Sequence, residues 1–223
     1  SFRKVKSLTE LARLVADSVI LDLGSGSSYN TVDFFLTSAS GILVVTPETT
    51  SILNAYSFVK AALFRMIYRS FPARSDERAL VYRFTTERLE GTERSTAALI
   101  EALGRLSAEA AETARESLRR FMPRVVLNMG RTQRDVPLGA KLRQVARKNL
   151  DLEVEYIGFL PHDEEVGTSI LQRRPLLSLN PDSAFARNLV QVTNRLIHEP
   201  IPRSPKLFEA DEDLAELAEE ASF

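Results

Sequence analysis

The sequence predicts an α/β protein built around a doubly wound, mostly parallel β-sheet. Short runs rich in Val, Ile and Leu alternate along the chain with longer amphipathic segments, which is the order of elements found in βα units. These short runs are apolar throughout and lack the alternating polar residues of a half-exposed strand. They are therefore expected to be buried on both faces, as the strands of parallel sheets are.

The first predicted strand, residues 19–23, follows a predicted helix over residues 5–16 and leads through a Gly/Ser turn into a helix over residues 31–38. Ligands bind at the carboxyl ends of such strands, so Asp22 is the first candidate functional residue. Three interpretations fit this stretch. It can be the first motif of a class I S-adenosylmethionine-dependent methyltransferase, or the switch of a nucleotide hydrolase, in which the Asp binds magnesium. Alternatively, Asp22 only caps the next helix.

Three more strands and the intervening helices complete the predicted sheet. These strands are placed over residues 41–46, 124–127 and 154–160, and the last two end at Asn128 and at Pro161-His162-Asp163. Helices are predicted over residues 52–68, over 164–172 and over 183–197, and a further helix is predicted after Asp135, which can cap it. Residues 75–121 contain two or three further amphipathic helices, so residues 71–121 are interpreted as a helical insert within the α/β domain. The apolar face of this insert is expected to pack on the parent domain or, alternatively, against a second subunit or regulator.

The composition is that of an ordinary soluble globular protein. Of the 223 residues, 44% are hydrophobic and 26% charged, and a net charge of −1 gives no reason to expect nucleic acid as an electrostatic partner. The absence of cysteine excludes disulfides and thiolate-bound metals. No apolar run reaches membrane-spanning length and no signal peptide opens the chain, so we expect a cytoplasmic protein.

Four motifs occur in a characteristic order. They are Asp22-x-x-x-Gly26 with Asn30-x-x-Asp33, residues 44–56, Leu127-Asn128 with Arg131-Thr132-Gln133, and residues 158–164. Together they resemble the MinD/ParA family of P-loop ATPases, in particular its FlhG/FleN-like and other MinD-related bacterial members. The methyltransferase interpretation explains neither the motif at residues 46–51 nor Asn128.

The resemblance implies a P-loop NTPase fold that binds ATP or ADP with Mg²⁺. By resemblance, Asp22 is the switch carboxylate next to Mg²⁺, and Gly26 supplies the N–H that reaches the γ-phosphate. Asn128 then reads adenine, because its amide can offer a donor and an acceptor to the edge of the base. The other implied cofactor-binding residues are Arg131, Pro161 and Asp163.

The resemblance also implies a nucleotide-dependent switch. Residues 46–54 lie where the family forms an ATP-dependent homodimer. The implied role is the regulation of flagellar, division or polar structures through a regulator or cargo that the sequence does not identify.

The main departure from the family is the lack of a Gly-x-x-x-x-Gly-Lys-[Ser/Thr] phosphate loop in the 223 residues. The family carries this loop upstream of the strand that holds Asp22. The chain is therefore expected to be a fold incomplete at its N-terminus, or a non-catalytic, partner-binding relative. In either case this stretch alone is expected not to hydrolyse ATP.

Residues 1–199 are predicted to form the ATPase-like domain, with the insert at 71–121. Residues 200–223 are predicted to form a Pro-containing linker and an acidic tail. Anionic lipid would repel this tail, so membrane binding is not expected.

Overall fold

The structure is a computed structural model, which describes residues 7, 10, 12, 14–38, 40–86, 95–132, 135 and 137–198. Within these residues, the elements are α1 (Tyr29–Phe35), β1 (Ile42–Val45), α2 (Thr49–Arg69), α3 (Asp76–Thr86), α4 (Thr96–Leu106), α5 (Ala108–Arg120), β2 (Arg124–Gly130), α6 (Pro137–Leu150), β3 (Glu155–Pro161), α7 (Glu164–Leu171), α8 (Leu176–Leu179) and α9 (Ala184–His198). Most of the helix predicted over residues 5–16, and all of the predicted linker and tail, lie outside the described residues.

The described residues form two compact units. The first comprises the residues up to 38 together with 58–86 and 95–121, and the second comprises 40–57 and 122–198. The boundary between them falls inside α2.

The first unit is helical, and serine residues mark where its helices begin. The hydroxyls of Ser28, Ser95 and Ser107 accept hydrogen bonds from backbone N–H groups in the first turns of α1, α4 and α5, at 3.3, 3.1 and 2.9 Å. Each hydroxyl satisfies a donor that the helix itself leaves unpaired. The capping residues therefore determine locally where these helices start.

The core of the first unit lies along the carboxyl half of α2. Five apolar side chains there are fully buried: Val59, Ala62, Leu63, Met66 and Ile67. The ring of Phe35 packs edge-on against Phe58 and Phe121, with centroids 4.9 and 6.3 Å apart. The predicted insert takes part in this core, since Phe84 of α3 packs on Phe64 and Ser117 of α5 shares a 2.8 Å hydrogen bond with Ser70.

A buried ionic cluster joins α1 to α2. The Asp33 carboxylate accepts two hydrogen bonds from the Arg65 guanidinium, at 2.9 and 3.0 Å, and one from Arg69 at 3.2 Å. The guanidinium of Arg65 also lies 5.4 Å from the ring centroids of both Tyr29 and Tyr68. Asp33, which belongs to the first sequence motif, therefore has a structural role here.

The second unit contains a three-stranded parallel sheet in the order β1-β2-β3. Helix α9 packs on β3, where Val192 shares a small core with Val126, Ile157 and Leu160. Side chains of α9 also donate hydrogen bonds to carbonyl groups of β3: Asn188 to Phe159 O at 3.0 Å, and Arg195 to Ile157 O at 2.7 Å. These bonds satisfy polar groups of a strand at the edge of the described sheet.

The α/β class and the parallel sheet are confirmed, and the strands predicted over 41–46, 124–127 and 154–160 correspond to β1, β2 and β3. The strand predicted over residues 19–23 is wrong for this structure. That segment has no regular secondary structure, and Ile20 is 90% exposed instead of buried. Strand formation depends on cross-strand partners, and the described part of the first unit offers only helices.

Among the described residues, the structure contains no helix that combines the length and apolar character needed to span a membrane.

Candidate functional site

The carboxyl ends of β1, β2 and β3 meet at one edge of the sheet in the second unit. Leu127 of β2 pairs with Val45 of β1 on one side and with Phe159 of β3 on the other. Gly130 is in register with Pro161, where β2 and β3 end. Three of the four sequence motifs contribute residues to this edge, which we call the carboxyl edge and define as residues 46–51, 128–132, 135 and 161–163.

The end of β2 has an irregular backbone. Met129 has a positive φ of 60°, and the pairing with β3 shifts register between Leu127 and Gly130. Oδ1 of the Asn128 side chain accepts a 2.9 Å hydrogen bond from the Met129 backbone N–H. The orientation of the half-buried Asn128 amide is thus set by the backbone of its neighbour.

Gly130 allows β2 and β3 to approach closely at this point. A Cβ atom at Gly130 would lie 2.0 Å from Cε2 of the Phe159 ring, so a larger residue would not fit without displacing that ring. The carbonyl oxygen of Gly130 also accepts a 2.7 Å hydrogen bond from the backbone N–H of His162. The segment after β3 is therefore attached directly to the end of β2.

The loop after β2 is closed by Asp135. Its carboxylate accepts hydrogen bonds from the backbone N–H groups of Arg131 and Thr132, both at 2.8 Å. These bonds lower the pKa of Asp135 below the ordinary carboxyl value, and the bond from Thr132 has the larger effect. The sequence predicted that Asp135 caps the helix that follows. Its side chain instead closes the loop, while its backbone carbonyl accepts from Leu138 N–H in the first turn of α6.

The loop after β1 contributes a hydroxyl and a carboxylate to the carboxyl edge. The backbone N–H of Thr46 donates to the Ser51 hydroxyl at 3.0 Å, which folds the loop onto the first turn of α2. The exposed Glu48 carboxylate has a lowered pKa, mainly because the Thr46 side chain hydrogen-bonds to it, with a smaller contribution from the positive charge of Arg131. The Thr46 side chain thus holds Glu48 within the loop after β1.

The segment after β3 leads directly into α7. Pro161 is the last residue of β3, and Asp163 caps α7 by accepting a 2.9 Å hydrogen bond from the backbone N–H of Glu165. Both residues are half-buried. The Asp163 side chain is therefore already used to start a helix, a role that does not require a ligand.

The structure brings together four of the six predicted site residues: Asn128, Arg131, Pro161 and Asp163 all lie at the carboxyl edge. The other two, Asp22 and Gly26, belong to the first unit and lie in an exposed segment without regular secondary structure. Gly26 has φ 111°, a conformation suited to glycine. Across the part of the chain that the structure describes, no three His, Cys, Asp or Glu residues cluster to hold a metal ion.

Sequence reasoning missed several features of this edge. It did not identify the hydrogen bond between the Thr46 side chain and Glu48, or the left-handed backbone at Met129. The neighbouring Gly130 was a possible signal, since a Gly directly after a strand often marks a bulge or a close backbone approach.

Comparison with known proteins gives one curated relative of significant similarity. The chain is 24% identical over 191 residues to the antiactivator FleN of Pseudomonas aeruginosa, and the match covers 85% of this chain and 50% of FleN. The chain therefore spans about half the length of the curated relative it matches. No protein-family model matches the sequence.

Among solved structures, the MinD cell division protein of Aquifex aeolicus matches with a TM-score of 0.46 and 15% sequence identity. That match covers 91% of this chain and 63% of the MinD chain.

The chain is an α/β protein whose candidate site lies at the carboxyl edge of a parallel sheet. The similarity to FleN confirms the resemblance to FleN-like proteins that the sequence motifs indicated.

Proposed function

We propose that the carboxyl edge binds the adenine base of ATP or ADP, and that the chain is part of a nucleotide-dependent switch of the MinD/ParA type. The observation that carries this proposal is the position of Asn128. Its amide lies at the end of the central described strand, held in one orientation by the Met129 N–H. An Asn amide can bind N6 and N7 of adenine together, accepting from one and donating to the other.

The hydrogen-bonding groups at the carboxyl edge fit the binding of adenine. Asn128 Oδ1 has a second lone pair beyond the one used by Met129 N–H. Its Nδ2 group meets no protein acceptor among the described residues. Pro161 and the backbone N–H of His162 pair with Gly130, two residues after Asn128. The edge thus offers both a donor and an acceptor within a closely packed part of the sheet.

The proposal extends to Asp22 and Gly26 through the family resemblance. Asp22 carries an exposed carboxylate, and Mg²⁺ typically keeps several waters while bound to one or two carboxylates, so this donor fits the ion. Gly26 would offer its backbone N–H to the γ-phosphate. In a longer protein that supplies a phosphate loop, we expect ATP hydrolysis to control dimerisation and thereby the activity of a protein partner, in line with the name antiactivator of FleN.

The adenine proposal is tested by NMR titration of the 223-residue chain with ATP and with GTP, in the presence of Mg²⁺. We expect ATP to shift the Asn128 side-chain amide and the His162 backbone amide more strongly than GTP does. Asn128→Ala should remove this difference between the nucleotides. Asn194→Ala, which removes an exposed Asn from α9 in the same unit, is the matched control and should preserve the difference.

Two outcomes would contradict the proposal. Equal shifts with ATP and GTP in the wild-type chain would show that the edge does not read adenine. If S-adenosylmethionine shifted residues 22–26 while ATP left the carboxyl edge unchanged, the methyltransferase interpretation would be favoured instead.

A further inference from the structure

Four described residues other than glycine adopt a positive φ: Arg74, Met129, Asp151 and Arg173. The left-handed region is unfavourable for any residue with a Cβ atom, so each case needs a physical reason. Three of the four are polar and lie in turns or at helix ends. Met129 is apolar and lies at the end of a strand, within the carboxyl edge.

The positive φ values of Arg173 and Asp151 are explained by their positions at helix ends. Arg173 follows α7, and its left-handed backbone lets Arg174 N–H reach Ser169 O at 3.0 Å. Asp151 likewise follows α6, and its left-handed backbone lets Leu152 N–H reach Ala146 O at 3.5 Å. In both cases the conformation satisfies carbonyl groups that the last turn of a helix would leave unpaired.

Met129 lies in a bulge and not at a helix end. The register between β2 and β3 shifts between Leu127 and Gly130, so Met129 is an extra residue in β2. Such bulges occur preferentially beside active sites, where they redirect a side chain. Here Met129 is 47% exposed, directly after the amide that we propose reads adenine.

The backbone around Met129 is held on both sides. Its N–H is bonded to Asn128 Oδ1, and the Gly130 carbonyl is bonded to His162 N–H at 2.7 Å. The Phe159 ring packs against Gly130 so closely that no Cβ atom fits there. A glycine at position 129 would adopt the same backbone with less strain. The methionine side chain therefore lies at a position where the backbone alone would favour glycine.

We infer that the thioether side chain of Met129 is the surface on which the adenine ring packs when Asn128 binds its edge. This inference rests on the proposed function. Methionine suits the task because its unbranched, polarisable side chain adapts to an aromatic face and makes favourable sulfur–aromatic contacts. Met129 thereby contributes affinity for the base, while Asn128 distinguishes adenine from guanine.

The experiment uses the 223-residue chain labelled with ¹³C at its methionine methyl groups. The chain has three methionines, of which Met66 is fully buried in the first unit and Met122 is half-buried, so both serve as internal controls. ATP with Mg²⁺ should move the Met129 methyl signal upfield, because the adenine ring current acts on it, and should leave the other two signals in place. Inorganic triphosphate, which has no ring, should not produce the shift.

Variants test the same inference through affinity. Met129→Gly and Met129→Ala should each weaken ATP binding about two- to twelve-fold, the range that a sulfur–aromatic contact supplies. Met129→Gly should also raise the midpoint of chemical unfolding because it relieves the left-handed strain. Arg173→Gly is the matched control, which should raise the midpoint without changing ATP affinity.

The outcomes separate the two proposals. One outcome is that the chain binds ATP and distinguishes it from GTP, while the Met129 methyl signal does not move and Met129→Gly binds ATP with normal affinity. In that case the inference about Met129 is wrong, and the proposal that Asn128 reads adenine stands. If the wild-type chain binds no adenine nucleotide at the carboxyl edge, both proposals are overturned.

Discussion

At the scale of single residues, Asp33 is the buried anion that holds two guanidinium groups in the first unit. Its side chain is 7% exposed, and those of Arg65 and Arg69 are 9% and 5% exposed. Removal of one partner from a buried ionic cluster leaves the remaining charges in a medium that solvates them poorly. The contribution of Asp33 to stability should therefore greatly exceed that of a surface carboxylate.

We expect Asp33→Ala to lower the free energy of unfolding by about 3–5 kcal/mol. Glu101→Ala is the matched control, because Glu101 pairs with Arg105 at 2.7 Å but both side chains are at least 70% exposed. That change should cost no more than about 1 kcal/mol. Urea denaturation of both variants measures the difference, and equal costs would mean that the buried cluster contributes no more than a surface pair.

Residue-scale chemistry also explains which site residues could be identified from the sequence. Asn128, Pro161 and Asp163 follow or end apolar runs, and the carboxyl ends of adjacent parallel strands meet at one edge. Their proximity was therefore predictable once the strands were placed. The lowered pKa of Glu48 depends on how the loop after β1 folds, and no pattern along the sequence encodes it.

At the scale of elements, glycines determine how closely helices and strands can pack in the second unit. A Cβ atom at Gly158 of β3 would lie 2.3 Å from Cγ2 of Val192 on α9. Valine is short and branched, so it cannot move aside as the end of a longer side chain can. By contrast, a Cβ atom at Gly167 of α7 would meet nothing within 4 Å.

We expect Gly158→Ala to destabilise the protein by about 1–3 kcal/mol through overpacking of α9 against β3. Gly167→Ala should stabilise it by about 0.5–1 kcal/mol, since alanine costs less than glycine inside an exposed helix. Val192→Ala added to Gly158→Ala should cost less than the two single changes combined, because it removes the clashing methyl groups. Unfolding curves of the four variants measure this coupling, and strict additivity would contradict the packing argument.

At the scale of the whole molecule, the segment predicted as an insert proves to be part of a core. Leu99 and Leu103 of α4 are fully buried, and contacts of α3 and α5 with α2 include Phe84 with Phe64 and Ser117 with Ser70. These contacts favour packing of the described part of residues 71–121 on the rest of their unit over a role mainly as a surface for a partner.

Deletion of residues 75–119, with a short Gly/Ser linker in their place, should therefore unfold the first unit. The deletion exposes apolar side chains of α2, each of which costs about 1.5–3 kcal/mol to transfer to water. Circular dichroism and urea denaturation would detect the loss of helix and of cooperative unfolding. If the deletion variant still unfolds cooperatively, the segment is not needed for the core, and a role as a partner surface is favoured instead.

Point variants in α4 serve as controls for the deletion. Leu103→Ala, at a fully buried position, should cost about 2–5 kcal/mol. Leu106→Ala, one turn further along at 46% exposure, should cost far less.

The sequence by itself determined the fold class, three of its strands and the family resemblance, because apolar runs and ordered motifs are local features of the chain. It predicted a strand at residues 19–23 from the same kind of local evidence, and there the local evidence was insufficient. A strand also needs a neighbour to pair with, and the tertiary structure decides whether one is present.

The tertiary structure alone decided the roles of Asp33, Met129 and Gly130. Asp33 becomes a structural anion because α1 and α2 bring it against two arginines. Met129 takes a left-handed backbone because β2 changes register against β3, and Gly130 is required because the Phe159 ring lies against it. Each role arises from contact between residues distant in the sequence, and a pattern read along the chain does not contain such contacts.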